Sequence, residues 1–248
     1  MKKNILTIVS AVCMSISLGI TPAFAMDFAT IAKNIPTATT ATEFVLDKKY
    51  SSDIALEIDL SQAIYEENPA LFLTYACWEG TRIYTETTSG LNAMVKFNQT
   101  FIDRSNSENY SKSYWDYVDS VIAAAGISNQ DSDKTKLRKA ALFIGQNYVY
   151  DYDGCYSAYL NGTPLFNSLT EKQKSFCGLD ARLFMGCMLR LGIPCKYIEG
   201  NASGRHSWNK VYVDGKWSEV DTTFARKAKN KNNYIFFNSG RTTYGEIG

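Results

Sequence analysis

Three residues in the last third of the chain could together do nucleophilic chemistry: Cys177, His206 and Asp221. His206 is the only histidine in the sequence, and imidazole is the side chain best suited to moving protons near neutral pH. If this protein uses histidine as a general acid or base, it must therefore do so at this position. A cysteine beside it would supply the nucleophile, and a carboxylate would orient the ring.

The proximity of His206 and Asp221 follows from a predicted β-hairpin. Asp214-Gly215 separates two alternating runs, and this dipeptide is typical of a two-residue type I′ turn. Closing that turn places Trp208 opposite Asp221. Residues directly opposite each other share a face of the sheet, as do residues two apart on one strand. We therefore expect His206 and Asp221 to lie diagonally on one face, where the carboxylate can hold the ring.

Cys177 is the best candidate for the nucleophile because it stands at the predicted start of a helix. Apolar residues recur from this point at helical spacing: Cys177, Ala181, Phe184, Met188 and Leu191. We predict Ser175 as the N-cap and Gly192 as the residue that ends the helix. Cys177 then lies in the first turn, where unpaired backbone N–H groups favour a thiolate and could stabilise an oxyanion.

Each of these residues also has a purely structural interpretation. A cysteine on an apolar helical stripe is usually a small core residue, and that is our interpretation of Cys187. We assign Cys177 to catalysis because a histidine and an aspartate follow in a matching order. His206 alone could be a hydrogen-bonded strand histidine. Asp221 could merely close a turn before Thr222-Thr223.

Three separated blocks of the sequence resemble the core of the transglutaminase-like superfamily. In chain order they are Cys177 at a helix start followed by Leu189–Tyr197, then His206–Asn209, then Trp217–Thr223. The upstream segment Tyr148–Asp153 is similar to the one that precedes the cysteine helix in bacterial members. The resemblance covers the C-terminal part of the chain, and the order of the blocks makes it specific.

This resemblance implies a papain-like α+β fold, in which a nucleophile helix packs on an antiparallel sheet. It also implies a Cys-His-Asp triad with Cys177 as nucleophile, His206 as base and acid, and Asp221 as the orienting carboxylate. Such a thiol enzyme attacks amide or peptide bonds, by transglutaminase-type acyl transfer through a thioester or as a peptidase or amidase. Members often have glycine before the nucleophile, whereas this chain has Ser175-Phe176, so the second oxyanion donor is not assigned. A catalytically silent, envelope-binding module is the alternative from another class.

The N-terminus predicts export. Met1-Lys2-Lys3 is positively charged, an apolar run follows, and Ala23-Phe24-Ala25 fits an A-x-A cleavage site. We therefore predict a secretory signal peptide over residues 1–25 and a secreted or extracytoplasmic protein. The apolar run is short for a membrane span, and no other stretch is apolar enough to be one. Export in turn suggests a peptide or protein substrate, which could belong to the cell envelope.

Charge and cysteine content exclude several classes of function. Without the two lysines of the signal segment, the 26 basic and 25 acidic residues leave a net charge near −1. This charge gives no electrostatic reason to expect nucleic-acid binding. The chain has one histidine and no C-x-x-C pair, so we expect no metal and no cofactor.

Five cysteines follow the signal segment, an odd number that agrees with one free thiol. The other four could form two disulfides in three pairings or stay reduced: Cys77, Cys155, Cys187 and Cys195.

The remaining patterns predict an N-terminal α/β elaboration over residues 26–130 and a catalytic core over residues 131–248. The elaboration is expected to contain a loose leader at 26–45, a hairpin formed by 80–87 and 93–101, and a helix from Tyr114 to Ala125. Residues 50–67 fit both periods: the apolar residues of 54–60 alternate as in a strand, whereas Leu56, Leu60 and Ile64 have helical spacing, and we favour a helix that ends before Asn68-Pro69. The core is expected to contain a helix from Leu137 to Tyr148, a loop at 154–170 bordering the active site, and a late strand at 234–237.

Overall fold

The protein is described by a computed structural model that covers residues 27–34, 43–45, 49–74, 80–87, 90–97, 103, 108–161, 165–226, 235–236 and 241–248. It divides into two compact units, one of residues 1–71 and 75–110 and the other of residues 72–74 and 111–248. The predicted signal peptide and Cys77 lie outside the described residues. The division predicted at residue 130 stays a prediction.

The first unit contains helices and a three-stranded antiparallel sheet. Its helices are α1 (Phe28–Asn34), α2 (Asp53–Glu67) and the start of α3 (Pro69–Thr74), and its strands are β1 (Glu43–Val45), β2 (Gly80–Thr87) and β3 (Gly90–Phe97), in the order β1-β3-β2. The Ser52 hydroxyl caps α2 by accepting from the Ala55 N–H. The predicted helix over 50–67 and the hairpin are confirmed over the described residues. The loose leader predicted for 26–45 is wrong, because α1 and β1 form within it.

The described helices of the second unit include the three that the sequence predicts, at Tyr114, Leu137 and Cys177. They are α4 (Glu108–Ala124), α5 (Asp133–Asn147), α6 (Tyr152–Leu160), α7 (Leu165–Thr170), α8 (Cys177–Arg190) and α9 (Thr222–Ala225). The loop predicted at 154–170 is wrong, because α6 and α7 occupy most of it. The Asp151 carboxylate accepts from the Gly154 N–H and so starts α6. Burial of Cys155, Phe166 and Leu169 then gives both short helices an apolar side.

The second unit is built around a five-stranded antiparallel sheet. Its strands are β6 (Cys195–Asn201), β7 (Arg205–Val213), β8 (Lys216–Val220), β9 (Ile235–Phe236) and β10 (Thr242–Ile247), in the order β10-β6-β7-β8-β9. The predicted hairpin is confirmed: Asp214 and Gly215 both have positive φ, and Val213 pairs with Lys216. The late strand is confirmed at β9. A separate parallel pair joins β4 (Val149–Tyr150) to β5 (Lys174–Ser175).

The helix that begins at Cys177 lies at the centre of this unit. Nearly every residue of α8 between Gly178 and Met188 is buried, and the helix packs on β6 and β7. The Asn209 amide on β7 donates to the Ala181 carbonyl at 3.0 Å and fixes the helix on the sheet. A positive φ of 72° at Gly192 follows the helix end, as predicted. The α+β class, with the cysteine helix on an antiparallel sheet, is therefore confirmed.

Strand β10 approaches β6 closely because residue 200 is a glycine. A Cβ on Gly200 would lie 2.2 Å from the Thr242 carbonyl oxygen and 2.4 Å from Trp208 Cη2. No other residue could occupy this position without moving a strand backbone or a buried indole. The close approach brings the residue that precedes β10, Arg241, to the side of the sheet that carries Trp208.

Candidate active site

Cys177 is the first residue of α8, in the first turn as predicted. The N-cap is Phe176, in an extended conformation with no side-chain capping bond, so the prediction of Ser175 as the cap is wrong. Ser175 belongs to β5, where its carbonyl accepts from the Asp151 N–H at 2.8 Å. This parallel pairing keeps the chain extended up to Phe176. The helix therefore begins directly at the thiol, and its first turn has no side-chain cap.

The structure brings the three residues singled out in the sequence together. His206 Nε2 lies 2.8 Å from Asp221 Oδ2, and the Cys177 side chain lies close enough to the imidazole to help raise its pKa. Because Nε2 is engaged by the carboxylate, Nδ1 is the ring nitrogen left for the thiol. Only 13% of the His206 side chain is exposed, and Asp221 is fully buried. The diagonal contact expected from the hairpin register is therefore present, while the catalytic roles stay a prediction.

The surroundings of His206 favour its charged form. Burial of the ring opposes protonation, but hydrogen bonds and charges from Asp221 and Cys177 outweigh this effect and raise the pKa of His206 to about 9. An imidazolium beside a thiol is the arrangement that activates a cysteine nucleophile.

Asp221 has structural duties as well. Its Oδ1 accepts from the Phe224 N–H at 3.1 Å and caps α9, so the alternative interpretation of Asp221 as a turn-closing residue also describes what it does. Its Oδ2, the oxygen that holds His206, accepts a second hydrogen bond from Arg241 Nη1 at 2.8 Å. The Asp221 carboxylate thus binds the His206 imidazole, the first turn of α9 and the Arg241 guanidinium.

Sequence reasoning missed Arg241. Its guanidinium lies 5.1 Å from the Trp208 ring centroid and 5.2 Å from that of Phe224. Trp208 in turn stacks on His206, with ring centroids 6.1 Å apart. No local pattern marks Arg241, because it reaches Asp221 only through the pairing of β10 with β6.

A second group of residues that the sequence did not assign surrounds the thiol. Burial and the neighbouring Cys177 thiol raise the pKa of Tyr150 to about 12, so its hydroxyl lies beside the proposed nucleophile. The Arg226 guanidinium lies 5.6 Å from the Tyr150 ring. It also forms two hydrogen bonds, at 2.8 and 3.0 Å, with the fully buried carboxylate of Asp180 on α8. The sequence placed Tyr150 only within the family-like segment 148–153.

The other described cysteines differ from Cys177 in burial. Cys155, Cys187 and Cys195 are buried thiols outside any disulfide, whereas Cys177 is partly exposed. Burial raises the pKa of each of the three, that of Cys187 to about 12. Of the alternatives left open by the sequence, the reduced state therefore holds for these three residues, and they are poor nucleophiles at neutral pH.

Within the described ranges, no three histidine, cysteine or acidic side chains are grouped in a way that could hold a metal ion. In the same part of the chain, every helix is too short or too polar to cross a membrane.

Comparison with known proteins finds a family resemblance over part of the chain. The model of the transglutaminase-like superfamily matches residues 121–222, a range that includes Cys177, His206 and Asp221. The resemblance noted in the sequence is therefore confirmed over this segment. No curated protein matches the chain significantly.

Two solved structures resemble the chain at 16% identity. One is a crystal structure of a TGase, with a TM-score of 0.42, covering 82% of this chain and 57% of the TGase chain. The other is a candidate cysteine protease from Cytophaga hutchinsonii, with a TM-score of 0.40, covering 67% of this chain and 66% of the other. This chain thus matches less than two thirds of either structure. At these scores neither similarity bears on its activity.

The raised pKa of His206 predicts a pH-dependent stability. Its charged form is stabilised in the folded state, so this contribution is fully present below about pH 6.5 and disappears as the pH rises through about 9. We expect the free energy of unfolding of the wild type to fall between pH 6.5 and 9.5 by up to about 3 kcal/mol more than that of His206→Gln. Urea denaturation at several pH values measures this difference, and parallel pH profiles for the two proteins would contradict it.

Replacement of Asp221 by asparagine should reduce turnover far more than substrate binding. Asparagine can still cap α9, but it cannot stabilise the imidazolium, and the loss can reach about 10⁴-fold where such a carboxylate orients a histidine. The effect here should be smaller, because the Cys–His pair is already charged. Some stability should also be lost, because Arg241 loses its anionic partner.

The matched control is Glu246→Gln, which removes a carboxylate that pairs with Lys196 and Lys210 instead of His206. Comparing kcat and KM for both variants tests the role of Asp221. Wild-type kcat in a folded Asp221→Asn protein would reduce Asp221 to a helix cap.

Proposed function

Because residues 121–222 match the transglutaminase-like superfamily, we propose that this chain is a thiol enzyme that attacks amide or peptide bonds through Cys177, His206 and Asp221. The observation that carries the proposal is the 2.8 Å contact between His206 and Asp221, with Cys177 beside the same ring. The partial exposure of Cys177 among otherwise buried thiols supports the assignment of the nucleophile.

The proposed reaction starts from the ion pair of Cys177 and His206, in which the thiol proton is already on His206 Nδ1. The Cys177 thiolate then attacks the amide carbonyl carbon, and the carbonyl π electrons move onto oxygen to form a tetrahedral oxyanion. When this intermediate collapses, the C–N bond breaks and the leaving amine or ammonia takes the proton from His206. A thioester with Cys177 remains. Asp221 stabilises the imidazolium throughout without accepting its proton.

The backbone around Cys177 supplies donors for the oxyanion. The first turn of α8 has no side-chain cap, and its N–H groups are the natural donors to a developing negative charge. We assign the second donor to the Tyr150 hydroxyl, which lies beside Cys177.

The acceptor that resolves the thioester decides the class of enzyme. Attack by an amine gives acyl transfer, and attack by water gives hydrolysis, so the proposal covers a cysteine-dependent acyltransferase or hydrolase. Export, predicted from residues 1–25, makes a peptide or protein outside the cytoplasm the proposed substrate.

Alkylation of Cys177 at neutral pH should depend on His206. Iodoacetamide followed by peptide mass spectrometry should label Cys177 in the wild type and label it at least about tenfold more slowly in His206→Ala, because the imidazolium that stabilises the thiolate is gone. Cys155, Cys187 and Cys195 serve as internal controls, because burial keeps them protonated until the protein is unfolded. Equal labelling of Cys177 in both proteins would contradict the Cys–His pairing.

The reaction itself is tested with a glutamine-containing peptide and a primary amine. We expect ammonia release and either an amine-linked or a hydrolysed product, both absent in Cys177→Ala. Neither rate should change with EDTA, because the proposed chemistry uses only protein groups. Activity that is lost in EDTA and restored by calcium would show that the metal-free mechanism is wrong. No turnover of any amide substrate, with an unreactive Cys177, would favour a binding module.

A further inference from the structure

Within the part of the chain that the structure describes, Arg182 is a buried guanidinium without an acidic partner. Only 6% of the residue is exposed, and its Nε has no hydrogen-bond partner. Among the described residues no carboxylate forms an ion pair with it, whereas Arg226 and Arg241, two partly buried arginines of this unit, each bind one. Burying an unpaired charge costs several kcal/mol, so the isolation of Arg182 calls for a function.

Two aromatic rings hold the guanidinium in place. Its Cζ lies 4.6 Å from the centroid of the Tyr197 ring and 5.0 Å from that of Phe72. Such cation–π contacts offset about 2 kcal/mol of the cost of burial. They fix the plane of the group but use none of its N–H donors. A fixed guanidinium with unused donors matches the planar, two-oxygen geometry of a carboxylate.

Arg182 points towards the N-terminus of α8, beside the nucleophile. Its Nη1 lies 3.3 Å from the position that a Cβ on Gly178 would take, and Gly178 directly follows Cys177. Burial raises the pKa of Tyr197 well above its usual range; Arg182 opposes this shift and Cys177 adds to it, so both groups lie near the phenol.

The helix terminus adds a second feature that favours an anion. Helix α8 is 14 residues long, and Phe176 at its N-cap provides no capping oxygen. Uncapped N–H groups at a helix N-terminus attract negative charge. Only glycine fits at position 178, since a Cβ there would also lie 2.8 Å from Phe176 Cε2.

We propose that Arg182, in the positive field of the first turn of α8, forms a subsite that binds a carboxylate of the acyl substrate beside Cys177, while the N–H groups of that turn remain available to the oxyanion. This inference rests on the proposed function and narrows it. The acyl donor is a molecule that carries a carboxylate close to the carbonyl that Cys177 attacks, and a neutral amide of the same shape is a poorer substrate.

Two alkylating reagents test the subsite without knowledge of the natural substrate. Iodoacetate carries a carboxylate and iodoacetamide does not, yet both alkylate Cys177 by the same displacement of iodide. In the full chain, Arg182→Gln should lower the rate with iodoacetate roughly tenfold or more, as expected for loss of a charge-assisted hydrogen bond. Its rate with iodoacetamide should stay within about twofold of the wild type.

The matched control is Arg190→Gln, which removes the same charge from the same helix. Arg190 is half-exposed and binds Asp119, so its loss should leave the ratio of the two rates unchanged. A ratio that stays at the wild-type value in a folded Arg182→Gln protein, judged by its thermal unfolding, overturns the proposal. An equal fall of the ratio in both variants also overturns it, because the effect would then be general electrostatic attraction.

A measurement on the wild type covers the case in which Arg182→Gln does not fold. At constant ionic strength, acetate should protect Cys177 from iodoacetamide and chloride should not. Protection by N-acetylglycine would identify a terminal carboxylate, and protection by the α-amide of N-acetylglutamate would identify a side-chain carboxylate. Absence of protection by any carboxylate, or equal protection by the neutral amide of N-acetylglutamine, overturns the subsite. A Cys177 that reacts with neither reagent overturns the proposed function itself.

Discussion

The fully buried carboxylate of Asp221 is the constraint on which the rest of the site depends. A buried charge is tolerated only when its lone pairs are satisfied, and here the partners come from three different places in the chain. The His206 ring comes from β7, the Phe224 N–H from α9, and the Arg241 guanidinium from the residue before β10. Satisfying one aspartate therefore sets the orientation of the imidazole, the direction in which the chain leaves β8, and the position of the last strand.

Arginine pairing decides how charge is distributed around the thiol. Asp221 and Asp180 are both fully buried, and each is matched by an arginine from a distant part of the sequence: Arg241 and Arg226. Arg241 and the imidazole of His206 both bind Asp221 Oδ2. The negative charge of this carboxylate is therefore shared between two cationic groups. The pKa of His206 still rises to about 9. His206 can therefore be protonated at neutral pH and form the imidazolium that accompanies a thiolate. A histidine kept neutral by burial could not do this.

Local sequence chemistry predicted the parts of the site that lie close together in the chain. The register that joins His206 to Asp221 could be predicted because Asp214-Gly215 allows only a few turn geometries. The start of α8 was predicted to within two residues, but Ser175 was mistaken for its cap because nothing local reveals the parallel pairing of β4 with β5. The helices within 154–170 were missed because each is short and has few periodic apolar residues. Arg241 and Arg226 could not be predicted, since only the completed sheet and α9 bring them to their carboxylates.

The charge near Cys177 is local and does not reflect the charge of the whole chain. The sequence carries nearly equal numbers of basic and acidic residues, so no long-range field draws an anion towards the protein. Any preference for an anionic substrate must then arise at contact distance, from His206 and from the unpaired Arg182. Because Arg182 is buried, dissolved ions screen it much less than they screen exposed charges. Selectivity that comes from this residue should therefore persist at ionic strengths that abolish surface attraction, which separates a built subsite from general electrostatic steering.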